Sequence, residues 1–167
     1  MVFLTSLTLC LCVCVQDDLP EKYESEEGKF TAQFPGKPKK TVQNIPTAVG
    51  TIKTNFFMHQ SASGAFAVAY SDYPKDHVKN SGVDNVLKGA REGAAKNIGG
   101  KVVSHKAITL DKHKGQHVVI SSDKTGLEIH VRHYFKGDRM YQTLVVGQKG
   151  KVDNDKTKKF LESFKIK

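Results

Sequence analysis

Histidine is the residue type in this chain that most directly suggests a chemical site. The 167-residue sequence contains seven histidines, and imidazole is both the commonest metal ligand and a general base near neutral pH. His113 and His117 are four residues apart, but on a predicted turn and strand, where that spacing does not bring two rings together. His130 and His133 point to opposite faces of one predicted strand. We therefore expect neither a metal site nor a cofactor.

Motifs for nucleophilic catalysis or phosphate binding do not occur in the sequence. There is no GxSxG elbow, and the three cysteines, Cys10, Cys12 and Cys14, all fall in the first fourteen residues. The run from Gly99 to Lys101 lacks Walker spacing and follows a predicted helix instead of preceding one. The sequence therefore predicts a protein that is not an enzyme.

The sharpest candidate site is a cationic and aromatic patch on one face of a predicted sheet. With symmetric hairpins, His117 lies opposite Arg132, Tyr134 lies opposite Tyr141, and His130 is diagonally adjacent. Such a patch could bind a carboxylate, a phosphate or an acidic segment of a partner. The alternative is an ordinary amphipathic face, in which the tyrosine rings pack under a helix and Arg132 pairs with Glu128.

A second set of polar residues, Gln116, His133 and Gln142, is predicted to form a row across the opposite, apolar face. A deep pocket opening onto this row would indicate a small-ligand-binding or enzymatic domain. A row sealed by packing, with its side chains bonded to each other, would indicate a non-catalytic binding or accessory module. We favour the binding module.

Both candidate sites depend on three antiparallel strands predicted between His117 and Gly147. Gly and Asp in two short segments, 123–126 and 136–139, provide the turns, and the flanking residues alternate with period two. The predicted partners on what we take as the core face are Ile120–Ile129, Val118–Val131, Val131–Leu144, Ile129–Val146 and Phe135–Met140.

The remaining elements complete an α+β domain. Ser81 and Asp84 resemble a capping box, after which apolar residues recur at helical spacing as far as Ile98. We expect Gly89 and Gly93 inside this helix to allow close approach to the sheet. Further strands are predicted at 28–36, 47–59, 65–72 and 101–110, with an edge strand at 41–44 and a short helix from Asp153.

The predicted fold is a mainly antiparallel β-sheet of six to seven strands, flanked by one long and one short helix. Residues 28–167 form this single domain, and the acidic residues 16–27 are predicted to be a linker. Residues 1–15 contain an apolar run that is too short to span a membrane and resembles a signal peptide. A buried N-terminal strand or helix is the alternative.

Export to the periplasm or the extracellular space follows from this leader. Leu9, Leu11 and Val13 precede the three cysteines, whereas a lipoprotein site needs a small residue there, so we do not expect a lipid anchor.

The formal net charge of +9 comes mainly from dispersed lysines. Dispersed lysines are typical of a solvated surface, and no arginine-rich cluster or nucleic-acid module is present, so we expect no specific nucleic-acid partner. From the charge we expect the binding partner to be an anionic ligand or an acidic protein of the cell envelope.

Several segments together resemble a known fold family. They are Phe30 with Phe34–Pro38, the run Ala69–Pro74, the alternating Lys106, Ile108 and Leu110, the run Arg139–Gly147, and Phe160–Phe164. This pattern, over roughly residues 23–167, resembles small exported bacterial proteins of unknown function with a PsbP-like fold. The resemblance implies an antiparallel sheet between helices and supplies no catalytic residue.

Overall fold

A computed structural model describes residues 21–47, 49–62 and 64–167. The predicted leader, residues 1–15, lies outside these residues. Among the helices described, none has the length and apolar character needed to cross a bilayer.

Ten strands and three helices make up the described part of the chain. Each sequence-predicted strand is present, and the edge strand is longer than expected, at Lys39–Thr47. In chain order the elements are β1 (Glu21–Ser25), β2 (Phe30–Phe34), β3 (Lys39–Thr47), β4 (Gly50–Ser61), β5 (Gly64–Asp72), α1 (His77–Ser81), α2 (Val83–Asn97), β6 (Lys101–Leu110), β7 (His113–Ser122), β8 (Leu127–Lys136), β9 (Arg139–Gln148), α3 (Asp155–Ser163) and β10 (Lys165–Ile166).

Seven strands form one antiparallel sheet in the order β3-β4-β5-β9-β8-β7-β6, and β1-β2-β10 form a smaller sheet. The predicted α+β class is confirmed. The predicted register of β7, β8 and β9 is also confirmed at each named pair, including Ile120 with Ile129 and Phe135 with Met140. Short hairpin loops fix this register. The apolar pattern supports it as well, since a slip of one residue would move every apolar side chain of a strand to the other face.

The middle strands of the central sheet are buried on both faces, so the expectation of a single core face is wrong. On one face, Val118, Ile120 and Val131 pack with Ala95 of α2. The opposite face is covered by the small sheet and α3. Their aromatic side chains pack with Tyr134 of β8 in a second core. Its central members are Phe30, Phe34, Phe57, Phe66, Tyr134, Tyr141, Phe160 and Phe164.

Residues 21–25, predicted to belong to a linker, form β1, which pairs antiparallel with β2. The reason is the side chain of Tyr23, whose ring lies 5.8 Å from that of Phe34 and 5.7 Å from that of Phe57, between centroids. Aromatic contacts at these distances stabilise the strand despite its acidic neighbours.

The start of the long helix also differs from the prediction. Ser81 ends the short helix α1, and α2 begins after Gly82, which has a φ of 79° and provides no side-chain cap. The predicted end is confirmed. Gly99, with a φ of 59°, donates its N–H to the Lys96 carbonyl at 3.0 Å, as expected of a glycine C-cap.

Close approach to the sheet does not explain Gly89 and Gly93. A Cβ built at either position would meet no atom within 4 Å apart from the nearby backbone of the helix itself and the adjacent residues. Close approach occurs instead at Gly115, where a Cβ would overlap the carbonyl oxygen of His133 on the neighbouring strand. Nothing in the structure explains the two helical glycines.

Candidate functional site

Gln116, His133 and Gln142 form the predicted polar row, as direct neighbours across β7, β8 and β9. Gln116 and His133 are only 3% and 1% exposed. The Gln116 amide donates to the Leu87 carbonyl of α2 at 2.7 Å and lies 3.3 Å from Nδ1 of His133. The row is therefore connected both to itself and to the helix above it.

Helix α2 covers the Gln116 end of this polar row, and Gln142 at the other end is half-buried. Nη1 of Arg91 donates to Oε1 of Gln116 at 3.2 Å. Both the oxygen and the nitrogen of the Gln116 amide are therefore hydrogen-bonded to α2. Burial lowers the pKa of His133 to about 4, and a hydrogen bond with Gln142 opposes this shift only in part. His133 is therefore uncharged at neutral pH.

The predicted cationic and aromatic patch lies on the opposite face, beneath α3 and the start of β10. The rings of Tyr134 and Tyr141 lie 6.0 Å and 5.8 Å from the ring of Phe164, between centroids, and both are buried. Burial raises the pKa of both phenols. The two tyrosines thus contribute apolar packing against Phe164, which lies between α3 and β10.

The charged members of the patch have specific partners. Nε2 of His130 lies 3.0 Å from Oε1 of Glu128, so Glu128 contacts this histidine and not Arg132. Arg132 donates from Nη1 to the Leu161 carbonyl at 3.1 Å, and its Nη2 is 3.9 Å from Oε1 of Glu162. The guanidinium therefore connects the sheet to the last turns of α3.

Four buried polar atoms on this face have no hydrogen-bond partner within the described residues. They are Nε2 of His117, Nε of Arg132, and the hydroxyls of Thr143 and Thr157. Arg132 lies between His117 and Thr143 in the strand register, and Thr157 precedes Leu161 by one helical turn. We call these four residues the buried donor cluster.

The buried donor cluster has the chemistry of an anion or water site, because every member can donate a hydrogen bond and one carries a fixed positive charge. Burial, followed by the charge of Arg132, lowers the pKa of His117 to about 4. Ligand binding by His117, His130, Arg132, Tyr134 and Tyr141 stays a prediction.

A cleft at the other end of the central sheet has no counterpart among the sequence predictions. Its volume is about 430 Å³, and it lies where α1 meets the turns of two hairpins. It depends on α1, a helix of five residues that the apolar pattern does not predict. We call it the lysine cleft. Its apolar floor is formed by Val78, Val83 and Phe135, and its basic rim by Lys79, Lys112 and Lys114.

Comparison with known proteins identifies the fold. No protein-family model matches the sequence, and no curated protein is significantly similar to it. The solution structure of cyanobacterial PsbP from Synechocystis sp. PCC 6803 is similar with a TM-score of 0.60, over 88% of this chain and 92% of that chain. The sequence identity is 10%, so the likeness concerns the fold alone. The chain therefore has a PsbP-like α+β fold.

Proposed function

We propose that the protein is an exported, non-catalytic binding or accessory module of the cell envelope. The observation that supports this proposal is the burial of Gln116 and His133, two members of the polar row, and their hydrogen bonding beneath α2. An active site needs polar groups that can reach a substrate. Here the polar groups bond to each other and to the helix instead.

The small-ligand-binding or enzymatic alternative would require α2 to move away from the row. That movement would break the bond between Gln116 and Leu87 and expose Val118 and Ile120, which are completely buried. Exposing two such side chains costs several kcal/mol, at about 1.5–3 kcal/mol each. The formal net charge of +9 supports an acidic partner, and the apolar leader supports export.

The first prediction tests the proposed function in the parent cell. We expect tagged wild-type protein and a Gln116→Met/His133→Leu variant to capture the same partner from a cross-linked envelope fraction. Apolar replacement of both bonded groups at similar volume leaves the surface unchanged. Capture is measured by quantitative mass spectrometry, after circular dichroism has shown that the variant is folded.

An unrelated exported protein of similar net charge is the control for non-specific binding. The proposal is wrong if the folded variant loses its partner, because the polar row would then be the functional site. It is equally wrong if the control protein captures the same set of proteins, because charge alone would then account for binding.

The buried donor cluster supports a second candidate function, the binding of a small anion between the sheet and α3. The Arg132 guanidinium keeps one unpaired N–H within the described residues, and its nearest carboxylate, that of Glu162, is 3.9 Å away and on an exposed side chain. An oxyanion beside this N–H would accept a charge-assisted hydrogen bond from Arg132.

The second prediction is that inorganic phosphate, at constant ionic strength, raises the unfolding midpoint of the wild type and not that of Arg132→Gln. Arg91→Gln is the matched control, because it removes the same charge from the opposite face of the sheet. Phosphate should also raise the pKa of His117, followed by NMR, because a nearby anion favours the protonated ring. Equal stabilisation of both variants, or an unchanged His117, would show that phosphate acts elsewhere.

A further inference from the structure

The lysine cleft combines an apolar floor with a basic rim. Val78 and Phe135 belong to a small core beside α1 and are only 4% and 5% exposed. A volume of about 430 Å³ is sufficient for one bulky side chain with part of the backbone that carries it. The floor therefore suits an apolar group.

The rim lysines have no counter-ion among the described residues. Lys79, Lys112 and Lys114 are exposed, and none lies within 4.0 Å of a carboxylate in that part of the chain. A group of unpaired ammonium groups around an apolar floor favours a ligand that carries negative charges beside an apolar side chain.

Two aspartates, Asp76 and Asp138, also line the cleft, but the carboxylate of Asp138 is already hydrogen-bonded to the backbone. Asp138 accepts the N–H of Asp76 at 2.8 Å and the N–H of Val78 at 3.1 Å, so both of its oxygens hold the start of α1. Counting three lysines and two aspartates, the lining keeps a net charge of +1. The electrostatic preference for an anionic partner therefore remains.

A sheet edge that no other described strand covers lies next to the cleft. β6 is the last strand of the central sheet, and Thr109 near its end pairs with Lys114 of the rim. Most of β6 is exposed, including Val103 at 58%. The outward N–H and C=O groups of an edge strand can pair with an extended peptide, which gives affinity while a nearby pocket gives specificity.

We infer that the lysine cleft and the adjoining edge of β6 together bind an extended acidic peptide segment of a partner protein. One bulky apolar side chain of the segment occupies the floor at Val78 and Phe135, and its carboxylates pair with Lys79, Lys112 and Lys114. This inference rests on the proposed binding function and specifies the site and the chemistry of the partner.

Peptide selection on the whole chain tests the inference and does not require the partner to be identified first. We expect a random displayed peptide library to yield sequences in which Asp or Glu residues flank a bulky apolar residue. Synthetic copies of these peptides should bind the Lys112→Glu/Lys114→Glu variant at least about ten-fold more weakly, as for the loss of charge pairs at an interface. Their binding should shift the NMR amide signals of Val78, Val83 and the edge of β6.

The matched control is Lys37→Glu/Lys53→Glu, which makes the same change in net charge at exposed positions away from the cleft. Unchanged peptide affinity in this control supports the inference. Equal loss in both variants, amide shifts confined to other strands, or the absence of an acidic and apolar consensus would overturn it. Cleft-dependent binding to phosphatidylglycerol vesicles without peptide binding would also overturn it, in favour of a membrane surface.

The inference and the proposed function can fail separately. If the cleft variant still captures the envelope partner, the inference is wrong and the binding function stands. If selected peptides bind at the cleft but no partner is captured from the cell, the inference about the site stands and the cellular function is wrong.

Discussion

Replacement of Phe30 by alanine should lower the free energy of unfolding by about 3–5 kcal/mol, the range for removing a buried phenylalanine side chain. Phe30 is completely buried at the start of β2, the middle strand of the small sheet. Its ring centroid lies 5.2 Å from that of Phe57 on the central sheet and 5.8 Å from that of Phe164 after α3. One ring therefore joins three parts of the fold that are distant in sequence.

Urea unfolding followed by circular dichroism measures this effect. Val103→Ala on β6 is the control, because that side chain is 58% exposed and its truncation should change the free energy of unfolding by less than about 0.5 kcal/mol. A loss from Phe30→Ala no larger than that of the control would show that the small sheet does not stabilise the central one. A separate early transition would show that the two sheets unfold independently.

The register of β7, β8 and β9 could be predicted because it depends on local information. Each partner of a short hairpin is close in sequence, and Ile120 opposite Ile129 leaves one arrangement that keeps the apolar residues together. The polar row of Gln116, His133 and Gln142 followed from the same counting, and so did the pairing of His117 with Arg132.

Coverage of the two faces could not be predicted, because it depends on contacts between distant residues. Phe164 lies near the end of the chain, and no local pattern indicates that its ring stacks on Tyr134. The position of α2 over Gln116 is equally absent from the strand pattern. For this reason the sequence could state what an open or a sealed row would mean. Only the position of Leu87 and Arg91 shows that the row is covered at Gln116.

The lysine cleft illustrates a different difficulty. Helix α1 is too short for its apolar spacing to differ from that of a loop, and its start is held by Asp138 from a hairpin sixty residues later in the chain. Without α1 the three rim lysines appear as dispersed charges in the sequence. Their proximity results from the pairing of β6 with β7 and from the position of α1 beside that hairpin.

Acid should destabilise the protein through His133. The pKa of this imidazole falls from its ordinary value of 6.5 to about 4 in the folded protein, because complete burial disfavours the charged ring. Below pH 6.5 the unfolded chain therefore binds a proton that the folded chain does not. The contribution of the neutral ring to stability is fully present above pH 6.5 and is lost as the pH falls towards 4. By linkage, the His133 ring alone should lower the free energy of unfolding by about 2 kcal/mol between pH 7.5 and pH 5.

Urea unfolding of wild type and His133→Gln across this pH range measures the effect. Glutamine keeps a polar side chain in the row and has no titrating group, so the part of the decrease that His133 contributes should disappear in this variant. The pKa of the His117 ring is also lowered to about 4, so His117→Gln should remove a further part of the decrease in the same direction. His105→Gln, at an exposed position of β6, should keep the full decrease. An unchanged pH dependence in His133→Gln would mean that the row admits water and that α2 does not seal it, which would also remove the main support for a non-catalytic function.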